Sequence, residues 1–234
     1  MIAMLFQSMR KSARTAILLA SLAVVASHAQ SQPAPAVAPP LYKAAESGDL
    51  AEVQRLIEQD ASPNTLGPGK QSIIQVAAER CNLEVVKYLA EKGAELNHKN
   101  ASTRTPLVSA ILGGDIRIVQ VIFEKGVDIE TKMDVGVTAL HAVAMRGEDR
   151  IDLFELLLKN GAKVDTNAEG GNTTLMFATM SENVKIMKKI IELRPNMVSS
   201  RATYGGTACS LAQARQSEKS KEIAEMLKQA SAGR

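Results

Sequence analysis

Thr105-Pro106-Leu107-Val108-Ser109-Ala110, followed by Gly114 and later by Gly126, is a pattern that recurs along the chain. One period earlier stand Ser72-Ile73-Ile74-Gln75-Val76-Ala77, then Cys81, then Gly93-Ala94. One period later stand Thr138-Ala139-Leu140-His141-Ala142-Val143, then Gly147, then Gly161-Ala162. Thr173-Thr174-Leu175-Met176-Phe177-Ala178 and Thr207-Ala208-Cys209-Ser210-Leu211-Ala212 continue the series, and Leu41-Tyr42-Lys43-Ala44 with Gly48 opens it. The matching apolar position falls at 41, 74, 107, 140, 175 and 209, at intervals of 33, 33, 33, 35 and 34 residues. A fixed period of this length marks a stack of supersecondary units that share one continuous core.

Each unit reads as a pair of short helices. Thr105 is placed to accept from first-turn N–H groups, and Pro106 suits the first helical position. Leu107 and Ala110 share one face, and Ala77, Ala110, Ala178 and Ala212 are small where the paired helix comes close. Gly114 and Gly147 can adopt positive φ and stop the first helix. The second helix shows i, i+3, i+4 apolar spacing, as in Ile116, Val119 and Phe123 or Leu153, Leu156 and Leu157.

This pattern resembles the ankyrin repeat: Thr-Pro-Leu-His-x-Ala, a Gly ending the first helix, and Gly-Ala after the second. The resemblance implies an all-α solenoid of about six helix-turn-helix units joined by β-turn or hairpin loops. The repeat domain spans 41–230, with units near 41–64, 65–97, 98–130, 131–165, 166–198 and 199–230, and a tail at 231–234. The departures are specific. Cys81, Glu182 and Gln216 replace the helix-stopping Gly, and Asp60 and Arg194 replace the Gly of the closing pair. The fourth unit carries two extra residues within 148–152. The terminal units are atypical, as capping units should be.

The 234 residues carry 28 Lys+Arg against 25 Asp+Glu, a formal charge of +3. Three of those basic residues, Arg10, Lys11 and Arg14, lie in the first 29 residues, which contain no acid, so 25 basic face 25 acidic residues thereafter. The basic start, the apolar run Thr15 to Ala26 and the small residues before Gln30 describe a secretory signal peptide (residues 1–29) cut after Ala29. Met9 is the alternative expected start of translation. Residues 30–40, rich in Pro and Ala, read as a semi-rigid linker. The expected location is the bacterial periplasm, with the extracellular space as alternative. No membrane insertion is expected after signal cleavage, because no run reaches the ~20 apolar residues of a spanning helix. An aromatic content of 3% with no Trp fits thin layers of small aliphatic side chains.

Chemistry is sparse in this pattern. After processing only His98 and His141 remain. His141 falls on the His position of the repeat, where the family places a loop-bonding imidazole, and His98 has no second His or Cys at ligand spacing. Cys81 and Cys209 lie four units apart. Layers ~8–10 Å thick separate them by roughly 30–40 Å, against the ~7 Å a disulfide tolerates. Cys209 takes the buried Leu position, and Cys81 ends a short helix near the surface. Gly67-Pro68-Gly69-Lys70 lacks the following Ser or Thr of a phosphate loop. The neutral mature chain gives no basis for nucleic-acid binding. No enzyme activity, metal or cofactor is expected.

The family's partner surface is a groove made by loop tips and the ends of the first helices. Carried over, it gives Leu112, Met145 and Met180 as an apolar line across three units, flanked by Arg80, Arg104 and Arg146. Val137 and Tyr204 join from the tips. An apolar centre with an Arg rim is suited to protein binding. The expected function is a monomeric, non-catalytic module that binds another protein in the cell envelope. Exported bacterial members imply assistance or protection of a partner enzyme. An immunity-like toxin inhibitor and a secreted effector acting on host proteins are the alternatives.

Overall fold

The computed structural model describes residues 38–146, 150–215 and 217–232. The signal segment, the start at Met9 and nearly all of the linker lie outside them. So do Gly147, Gln216 and most of the expected two-residue insertion.

Twelve α-helices follow one another in pairs among these residues. The pairs are α1 (Pro40–Ser47) with α2 (Leu50–Glu58), α3 (Ile73–Glu79) with α4 (Leu83–Glu91), and α5 (Pro106–Gly113) with α6 (Ile116–Glu124). They continue with α7 (Ala139–Met145) and α8 (Ile151–Lys159), α9 (Thr174–Met180) and α10 (Val184–Leu193), and α11 (Ala208–Ala214) and α12 (Glu218–Ala232). The all-α repeat solenoid expected from the period is the observed architecture.

The first helices are short because the sequence starts and stops them sharply. Thr105 Oγ1 accepts from Val108 N–H at 3.4 Å and Thr173 Oγ1 from Met176 N–H at 3.3 Å, which satisfies first-turn donors. Gly48 and Gly114 then end α1 and α5 at φ of 79° and 92°. Where no glycine is present the backbone still turns left-handed: φ is 60° at Cys81, 55° at Glu182 and 65° at Asp60. A left-handed L-residue costs about 1–2 kcal/mol, so repeat packing overrides local preference at three places. Arg194 departs from this rule. It takes φ −142° and leads into a 3₁₀ turn, Pro195–Ser199.

The second helices bury a regular stripe: Val85, Val86 and Leu89; Ile118, Val119 and Ile122; Leu153, Phe154 and Leu157; Ile186, Met187 and Ile190. The core is one cluster running from Leu41 to Leu227. No unit buries that stripe alone; it is closed by the next pair.

Side chains also tie the units together through carbonyls that helix ends leave unpaired. Asn82 Nδ2 donates to Ala45 O at 2.9 Å and Glu46 O at 3.1 Å. Ser181 Oγ donates to Ala144 O at 2.6 Å, and Asn183 Nδ2 to Arg146 O at 3.2 Å. Arg215 donates to Met180 O. Each donor reaches back to the end of the first helix of the preceding unit.

Candidate functional site

The loop tips are built alike. An N–H to carbonyl bond closes each over five residues: Gly67 to Gln71 (2.8 Å), Asn100 to Arg104 (3.1 Å), Met133 to Val137 (2.7 Å), Ala168 to Asn172 (3.0 Å) and Ala202 to Gly206 (2.9 Å). Three of the four neighbouring pairs of tips are bonded to each other, and the third and fourth tips are in close contact at Gly136 and Glu169. Ala101 N–H donates to Gly69 O at 2.8 Å, Asp134 N–H to Thr103 Oγ1 at 2.5 Å, and Thr203 N–H to Gly170 O at 2.8 Å. The tips therefore form a ridge along the stack, and the first helices lie beside it.

Leu112 and Met145 are 37% and 45% exposed on the ends of α5 and α7. Met180, at the end of α9, is half-buried and packs against the core. Leu112 is carried outward by a close approach. A Cβ on the next residue, Gly113, would stand 2.4 Å from Ala78 O and 3.1 Å from Glu79 O in the preceding unit. Gly113→Ala is expected to force these units apart and to destabilise the protein by about 1–3 kcal/mol, measured as a lowered urea midpoint.

The three arginines have different roles. Arg80 Nη2 pairs with Glu46 Oε1 at 2.8 Å, between the first and second units. Arg104 is exposed at a tip, and its main-chain oxygen accepts from Gln75 Nε2 at 2.6 Å. Arg146 is not a simple rim cation. Its Nη1 donates to Ile111 O at 3.0 Å and Leu112 O at 2.6 Å, so it also caps α5.

A depression of about 400 Å³ opens where the first three units meet, lined by Tyr42, Glu46, Gln71, Val76, Glu79, Arg80, Arg104 and Leu112. One chain of donors orders its floor. Tyr42 Oη donates to Gln71 Oε1 at 2.7 Å, and Gln71 Nε2 donates to Glu79 Oε2 at 2.8 Å. Ser109 Oγ donates to Glu79 Oε1 at 3.0 Å. Burial, helped by the charges of Glu46 and Glu79, raises the Tyr42 phenol above its ordinary pKa. The phenol stays a donor at neutral pH.

Val137 corrects the sequence reading. It is buried at 8% exposure, whereas Val135 is 39% exposed at the apex. The turn explains the exchange. Val135 and Gly136 both take positive φ, 52° and 71°, as in a type I′ turn, where the two central residues point away from the layer. Gly136 is the signal that could have found it: the residue before a turn glycine belongs at the apex. Leu66, exposed at the base of the first tip, is a second residue that the sequence reading missed. Tyr204 is exposed at the last tip, and its Oη donates to Asn172 Oδ1 at 2.9 Å.

His141 is fully buried at the start of α7. Thr138 N–H donates to its Nδ1 at 3.1 Å, so Nδ1 is the acceptor and Nε2 carries the proton. Nε2–H donates to Thr166 O at 3.0 Å. The Phe177 ring meets the imidazole edge-on at 5.1 Å between centroids. His98 Nε2 lies 2.7 Å from Lys70 O in an exposed loop. Cys81 is exposed, with Sγ 3.2 Å from Gly113 O, and Cys209 is half-buried rather than fully enclosed. Among the described residues no three His, Cys, Asp or Glu side chains gather as a metal-binding group. Among them, too, no helix is long and apolar enough to cross a membrane.

A family model for ankyrin repeats (3 copies) matches residues 41–133 and 130–201. No curated protein matches the chain. The sixth helix pair lies beyond the matched residues but stacks on the fifth through the same core. With the matched residues running from 41 to 201 of 234, and with the helix pairs, caps and tips of the fold in register, the chain belongs to the ankyrin-repeat family.

Proposed function

We propose that the chain is an exported, non-catalytic module of the bacterial cell envelope. In this reading it holds a partner protein, and assists or protects a partner enzyme, through its groove and tip ridge. Ankyrin repeats generally mediate protein–protein interaction. One observation carries the reading to this surface. Among the described residues, the exposed large apolar side chains are Leu66, Leu112, Val135, Met145 and Tyr204. All of them lie at the tips or at the ends of the first helices. The second helices turn no such side chain outward, so the apolar exposure is one-sided. That bias marks an interaction face, because scattered exposure would fall on both sides.

Photo-crosslinking in cells that naturally carry the chain tests this. Wild type is expected to trap a partner in the periplasmic fraction. The triple variant Leu112→Ser, Met145→Ser, Met180→Ser is expected to lose it while keeping its circular dichroism. Retention by the triple variant overturns the surface, and recovery from the cytoplasm alone overturns the location.

A further inference from the structure

The five tips carry charge in an ordered sequence. Within their hydrogen-bonded windows the ionisable residues are Lys70, Arg104, Asp134 and Glu169, one per tip; the fifth tip holds the phenol of Tyr204, and Arg201 just before it donates from Nη1 to Gly205 O at 3.1 Å. The ridge therefore reads plus, plus, minus, minus from the second unit to the fifth. All four residues are exposed, and none forms an ion pair among the described residues. Charges lower in the groove are offset locally: Arg80 by Glu46, and Arg215 by Glu182 at 3.4 Å. The groove carboxylate Glu79 accepts from Gln71 and Ser109. Tip-to-tip hydrogen bonds fix the spacing of Lys70, Arg104 and Asp134, and the Glu169 tip packs directly on the Asp134 tip, where a Cβ on Gly136 would stand 3.1 Å from Glu169 N.

We infer that the partner segment seated on this face is charge-polarised: acidic where it meets the second and third units, basic where it meets the fourth and fifth, and apolar between. The inference rests on the proposed interaction reading. The exposed apolar residues of the same face, Leu112, Met145 and Val135, occupy the third and fourth units, where the charge changes sign. They supply the binding energy, since rim charges add little affinity but fix orientation and speed encounter. Three layer spacings of ~8–10 Å span about 25–30 Å, a length that roughly eight or nine extended residues cover.

The test uses the full chain and a displayed library of random 20-residue peptides. The strongest wild-type binder is synthesised together with a copy in which every charge is reversed. Both are titrated against wild type and against the variant Lys70→Glu, Arg104→Glu, Asp134→Lys, Glu169→Lys, which keeps the net charge. Each peptide is expected to bind its matching chain roughly tenfold more tightly than the other chain at low salt, with the difference shrinking at high salt. Equal binding in all four combinations, or enrichment of no peptide, overturns the inference. If binding is equal but still lost in the Leu112, Met145, Met180 triple variant, polarity falls and the interaction surface stands.

Discussion

Phe154→Ala is expected to destabilise the protein by about 3–5 kcal/mol, read as a fall in the urea midpoint followed by far-ultraviolet circular dichroism. Phe154 is the fourth residue of α8 and is fully buried. The fourth residue of α2, α4 and α6 is Val53, Val86 and Val119, and that of α10 is Met187. All of these are fully buried too. The fourth unit thus encloses a space that three other units fill with a valine. Removing the ring leaves a void between layers that cannot easily close, because side-chain bonds to helix-end carbonyls hold the units in place. Ser181 Oγ and Asn183 Nδ2 make such bonds from the fifth unit to the fourth. In a stack, each interface depends only on its neighbours, so the loss falls on both faces of one layer. Phe154→Met, which copies the residue of the fifth unit, is expected to stay within about 1.5 kcal/mol of wild type. A loss below about 1 kcal/mol on Phe154→Ala would show that the layers collapse.

The period makes the stack legible before any helix is placed, because a unit of this length has no way to bury its apolar stripe alone. The caps are legible for the same reason: Thr105, Pro106 and Gly114 have chemistry suited to one position each. Direction is harder to read. Val137 and Val135 are the same residue type two places apart, and only the positive φ of Val135 and Gly136 decides which one faces solvent. Arg146 is legible as a surface cation, yet its use as a cap for α5 depends on how far the end of a long side chain reaches into the preceding unit. Cys81 and Glu182 show in the sequence only as missing glycines. That the backbone keeps its left-handed shape there follows from packing around them, which single-residue preference does not contain. The charge order of the tips is visible in the sequence as separate residues, Lys70, Arg104, Asp134 and Glu169, and becomes a pattern once the tips are packed into a ridge.

Acid is expected to weaken the fold through His141. Burial, opposed in part by the hydrogen bond to Thr166, pushes the imidazole pKa down from 6.5 to about 4. A second proton would have to enter at Nδ1, the atom that accepts from Thr138 N–H and lies 3.0 Å from Thr138 Oγ1. Protonation thus breaks the His141 half of the capping box at the start of α7 and buries a charge in one step. Between pH 6.5 and 4 the unfolded chain binds the proton more readily than the folded one, so stability falls as pH falls. The contribution is fully present above pH 6.5 and is lost progressively down to about pH 4, a loss of about 3 kcal/mol. The second unit supplies the control. There Gln75 does the same work without titrating: its Oε1 accepts from Ser72 N–H at 2.9 Å and its Nε2 donates to Arg104 O. His141→Gln is therefore expected to keep most of the stability at neutral pH and to flatten the slope between pH 6.5 and 4. Urea midpoints across that range measure both. A wild-type slope unchanged by the substitution would place the acid sensitivity elsewhere.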